Sequence, residues 1–218
     1  LPLAPYGRKR TIVDELVPGR VWCFEQKLGT LYVHVPVRMT VIKLDGDAGR
    51  GEPPGLFVYN PVAPTRACVR AMRALEAAHG PVRHVVLGTL ALEHKVYFGP
   101  FAQRFAATAR AWYQPGQYSF PVKGLPVEAL GFPRGSRPIP PDGGGPGALT
   151  APWSAELDHA TLGPFFSRDG GFGETAFHHR ATATTPVTDT LVAVREWPWR
   201  GNAILEDDPR PLLYHARD

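Results

Sequence analysis

The sequence predicts an α/β fold, α+β by content, on three observations. Its first half is a series of short runs rich in β-branched and aromatic residues. A strand–helix–strand–helix–strand order then follows. The 24 prolines and 23 glycines among 218 residues predict long irregular connections between short elements.

The elements follow in order. "RVWCFEQ", "TLYVHVPV" and "RMTVIKL" read as three strands, separated by "KLGT" and by a kink at Pro36. "GLFVYNPV" is a fourth, entered through "GDAGRGEPPG", and the four form a meander. "APTRACVRAMRALEAAHGP" carries the start and stop of an amphipathic helix: Thr65 caps it, Val69, Met72, Leu75 and Glu76 set its faces, and Gly80-Pro81 ends it. "VRHVVL" has the continuous apolar core of a strand covered on both faces. A loop, "GTLALEHK", ends in Glu93-His94. "GPFAQRFAATA" then reads as a second helix and "ARAWYQP" as a return strand. Residues 125–153 form a long Pro/Gly-rich exposed connection. Short strands are expected at "AELDHATLG", "GETAFHHR" and "PVTDTLVAV". In "EDDPRPLLYHARD", Asp208 caps a helix with Pro209 at its first position and an apolar edge at Leu212 and Leu213. The chain is read as one domain, 1–218, interrupted at its C-terminal end, and the initial Leu fits a removed leader.

Composition excludes several classes. The net charge is only +4, "GRKR" is the densest basic cluster, and the aromatic segments lack basic interleaving, so no nucleic-acid partner is expected. No apolar run approaches the roughly 20 residues that span a bilayer, so membrane association is expected only through partners. Cys23 and Cys68 have no metal-type spacing and read as two buried thiols. Dinucleotide, Walker and nucleophile-elbow motifs are lacking. His34 reads as a core or edge residue, and His84 begins a buried strand with no evident partner. Trp197, Trp199 and Arg200 in "REWPWRG" are the residue types that dominate protein interfaces, and they are the candidate partner-binding residues. Burial under a loop is the alternative.

"EQKLGTLYVHVPVRMTVIKL", "GLFVYNPVAPT", "HGPVRHVVL", "EHKVYFGPFA", "LGPFFSRDGGFGETAFHH" and "VTDTLVAV", in this order, resemble a plant, algal and cyanobacterial family known as domain of unknown function 4336. The resemblance spans Tyr6 to about Asp218 and places the chain in the metallo-β-lactamase-like superfamily. It implies a four-layer αββα sandwich whose C-terminal part is missing here. It also implies a chloroplast protein, stromal or thylakoid-associated, and the Ala-, Arg-, Pro- and Gly-heavy usage suits a GC-rich algal genome.

Active members of that superfamily carry His-x-His-x-Asp-His after a strand, to hold one or two metals. Here those positions hold Thr89, Ala91, Glu93 and His94, so two ligand histidines are replaced. Asp189 stands where an acid bridges two metals, and His178 and His179 are nearby in sequence but face opposite sides of a strand. The resemblance therefore implies a protein without a catalytic residue or cofactor, acting as a binding or assembly factor for a protein partner. The alternative is a hydrolase or oxidoreductase with one zinc or iron ion on His94, Asp189 and His178 or His179, and Glu93 as the catalytic acid. Without any ligand, Glu93-His94 would be an acid at a helix start beside a backbone-bonded histidine. Asp189 could equally serve a turn.

Overall fold

The structure, a computed structural model, describes residues 10–30, 33–118, 125–142, 150–167 and 170–191, with backbone alone at 29, 30 and 33–35. Seven strands form one mixed sheet in sequence order: β1 (Ile12–Val17), β2 (Val21–Thr30), β3 (Val33–Leu44), β4 (Gly55–Tyr59), β5 (Val82–Leu87), β6 (Arg110–Tyr113) and β7 (Arg137–Pro138). The first four pair antiparallel, and β4 to β7 run parallel. Helix α1 (Arg66–His79) connects β4 to β5, and α2 (Leu92–Arg104) connects β5 to β6. A separate antiparallel hairpin, β8 (Leu157–Phe166) with β9 (Gly171–His179), packs beside the sheet.

Period-two alternation sends side chains of the central strands into two cores. Leu56, Val58, Val85 and Leu87 join Met72, Phe98 and Phe101 on the helix side. Phe57, Tyr59 and Val86 join Trp153, Leu157 and Phe177 on the hairpin side. β4 is therefore buried along its whole length, which its unbroken apolar run requires. Each fully buried large apolar side chain contributes roughly 1.5–3 kcal/mol, so these two layers hold the sheet between helices and hairpin.

Several expectations agree with this arrangement. Thr65 caps α1, its hydroxyl accepting from the Cys68 amide at 3.0 Å, and Gly80 ends the helix at φ +96°. Both cysteines are free and buried, and burial pushes each thiol up to about 12. Among the described residues, no helix is long and apolar enough to cross a membrane.

Others are corrected. The end of "TLYVHVPV", from Val33, and all of "RMTVIKL" belong to the single strand β3; β4 covers it only from Thr40 onward, so the edge beside Pro36 can tolerate a missing amide. The fourth antiparallel strand is β1, "IVDELV", whose mostly exposed side chains hide it from an apolar pattern. α2 begins at Leu92 rather than Gly99, so Glu93 and His94 occupy its first turn instead of a loop. Gly99-Pro100 resembles a helix start, yet Pro100 lies within α2. The connection after 125 is anchored, because Phe132, Ile139 and Trp153 are core residues. His84 does have a partner: its Nδ1 accepts from the Trp112 indole at 3.3 Å, and burial lowers it to about 3. The proposed strand "PVTDTLVAV" is irregular from 186 to 191, and its remainder lies outside the described residues. His34's side chain, Trp197, Trp199, Arg200 and the Asp208–Leu213 helix also lie outside them.

Candidate functional site

The carboxyl ends of parallel β4, β5 and β6 are where ligand sites commonly form in such sheets. Here those ends carry Asn60, Gly88-Thr89 and Gln114. Asn60 adopts a left-handed φ of +48°, a conformation that asparagine tolerates better than most residues. Its Oδ1 accepts from the Gly88 amide at 2.7 Å, and its Nδ2 donates to the Thr188 hydroxyl. Tyr59 donates to the Thr175 carbonyl at 3.0 Å, and the Thr175 hydroxyl donates to Gln114 Oε1. β9 crosses this rim, its Thr175 amide bonding the Gly88 carbonyl and its Gly173 carbonyl accepting from the Leu90 amide.

Two positions of the "GTLALEHK" segment, Thr89 and His94, have structural uses. Thr89's hydroxyl accepts from the Ala91 amide at 3.0 Å, and its carbonyl accepts from Gln117 Nε2 at 3.0 Å. Ala91 is itself the N-cap of α2. An uncapped helix start leaves amides unpaired, and the threonine satisfies one of them from two residues upstream. His94 is 4% exposed, and its Nδ1 lies 3.4 Å from the Pro61 carbonyl. Burial holds His94 below the ordinary histidine range and keeps the ring neutral.

The residue that sequence reasoning missed is Glu174. It is 1% exposed, and its carboxylate accepts from three successive amides: Thr188 at 2.5 Å, Asp189 at 2.8 Å and Thr190 at 2.8 Å. A run of backbone N–H groups of this kind is an anion cradle, and here the chain's own glutamate fills it. The available signal was an acid inside the apolar alternation of "FGETAF", since a buried carboxylate demands dedicated donors.

The charges of Glu174 and half-buried Glu93 act on both His94 and exposed Asp189. Burial first, then Glu93 and Glu174, raise Asp189 to about 6 from 3.8. A raised carboxyl binds its proton more tightly when folded, so stability falls as pH rises from about 4 to 6. Asp189→Asn removes this penalty. The variant should be more stable above pH 6, by under about 1 kcal/mol because solvent screens an exposed group, and indistinguishable below pH 4. Thermal midpoints across pH 4–8 read this directly.

The charges of Glu93 and Glu174 thus reach both His94 and Asp189, whereas the histidine pair is held elsewhere. His178 and His179 lie four and five residues beyond Glu174 on β9, about 13 and 16 Å at the strand rise. His178 Nδ1 lies 2.8 Å from the Thr185 hydroxyl. His179 Nδ1 lies 2.7 Å from the Thr182 hydroxyl. Among the described residues, no group of three or more His, Cys, Asp or Glu is arranged to hold a metal ion. A dimetal centre of the kind the resemblance implies would not fit this donor set, because Thr89 and Ala91 supply no imidazole.

A family model, "Domain of unknown function (DUF4336)", matches residues 18–218. The chain belongs to that family. A search of curated proteins returns no match. For this DUF4336 chain the chemistry must therefore be argued from its own side chains.

Proposed function

We propose that this protein is a catalytically degenerate, metallo-β-lactamase-like binding or assembly factor that acts through a protein partner in the chloroplast. The observation that carries the reading is the internal closure of the strand-end site. Glu174 fills the amide cradle at 188–190, and Asn60, Thr89 and Gln114 bond the surrounding backbone and hydroxyls. The layer order supports the superfamily assignment: helices on one sheet face, and on the other a hairpin in the place of a second sheet's beginning.

The competing reading is an enzyme with one zinc or iron ion on Glu93, His94 and Asp189. It draws on the crowding of carboxylates, which a cation would relieve. Complementation separates the two. In a strain lacking the protein, Glu93→Gln/Asp189→Asn should restore the phenotype as fully as the parent chain. Failure of that variant, expressed at parental levels, would establish the enzyme reading instead.

A further inference from the structure

We propose that the open edge of β1 docks an extended, basic segment of a partner protein, which adds to the sheet as a further strand. β1 ends the seven-stranded sheet, and among the described residues nothing pairs with its outer side. Alternate residues of such a strand turn their N–H and C=O groups outward, ready for main-chain pairing. Other edges are blunted. β7 is two residues long, and β3 carries Pro36 where β4 leaves it uncovered. On β8, Pro164 lacks an amide and the Thr161 amide is taken by Asp142 at 2.8 Å. β1 contains no proline, and Ile12 to Glu15 keep regular register before the shift between Glu15 and Val17.

The side chains select the occupant. Val13 and Leu16 are 39% and 53% exposed, apolar surface that a strand alongside would cover. Cross-strand partners share a face, so Val13, opposite Phe24, lies on the helix side of the sheet, and Asp14, opposite Cys23, lies on the other. On that second face Arg38 donates to Glu25 at 2.8 Å and also feels the Asp14 charge, so two carboxylates share one guanidinium. Glu15 is exposed as well, its Oε1 accepting from the Gly19 amide at 2.6 Å. A second copy paired through this edge would set acids opposite acids, which is destabilising. A segment that alternates apolar residues with lysine or arginine matches both faces, its cations beside Asp14 and its apolar side chains beside Val13. In such strand addition main-chain bonds supply affinity and alternate side chains supply specificity.

The test is fluorescence anisotropy of labelled synthetic peptides titrated with the full chain at constant ionic strength. The probe is Lys-Val-Arg-Val-Lys-Val-Arg; one control has glutamate at every cation, another has proline at the central valine. Saturable binding of the probe is expected, weakened tenfold or more for either control and in Asp14→Lys. Asp14 is exposed, so that variant's thermal midpoint should match the parent's. Amide exchange within β1 should slow when the probe is bound. No saturable binding, equal binding of the proline peptide, or equal binding by Asp14→Lys would overturn the proposal. Dimerisation of the free chain that competes with the probe would assign the edge to a second copy and overturn it too. The proposal rests on the partner-binding reading above, yet the two fail separately: complementation by Glu93→Gln/Asp189→Asn without probe binding removes the docking edge alone.

Discussion

Glu174→Ala is expected to destabilise the fold by about 2–4 kcal/mol, given the strength of hydrogen bonds to charged groups and the cost of orphaned donors. The carboxylate serves three amides at once, and no other described side chain reaches them. Thr188 is half-buried and Thr190 exposed, so water can recover part of the loss, which keeps the figure below three full bonds. Glu174→Gln retains an acceptor oxygen and should lose about half as much. Urea denaturation measures both values. Amide exchange at 188–190 should rise far more than exchange in β5. A loss under about 1 kcal/mol for the alanine variant would mean that the cradle does not depend on this carboxylate.

Gly99→Ala should destabilise the protein by about 2 kcal/mol or more, although alanine favours a helix over glycine by about 1 kcal/mol. A Cβ at position 99 would sit 2.0 Å from the Gly131 carbonyl oxygen and 2.9 Å from its carbon. Both are backbone atoms and cannot rotate away. The 131–132 turn would have to move, and with it Phe132, whose ring packs on Phe98 at 4.8 Å and Tyr113 at 5.6 Å. A thermal midpoint equal to or above the parent's would contradict this contact.

The same glycine shows why part of the fold was illegible in the sequence. Gly99-Pro100 reads locally as a helix boundary, and only the approach of the 131 turn, some thirty residues away, explains a glycine inside α2. β1 escaped because its exposed edge carries little apolar alternation. α1 and β5 were legible to the residue, since Thr65, Gly80 and an unbroken apolar run act locally.

The candidate site divides in the same way. Glu93 and His94 are neighbours in the chain, and Asp189 feels the charges of Glu93 and Glu174 through the fold. Glu174 was hidden because its function depends on amides fourteen to sixteen residues later, which no pattern along β9 announces. The histidine pair looked close to Asp189 in sequence, yet β9 carries it about 13–16 Å from Glu174.

The central claim is that the strand-end site is closed by the protein's own groups. Elemental analysis of the purified full chain, after incubation with zinc or iron and gel filtration, tests it most directly. The expected result is less than a tenth of an equivalent of either metal, unchanged in His94→Ala. One tightly retained ion per chain, lost in His94→Ala, would contradict it.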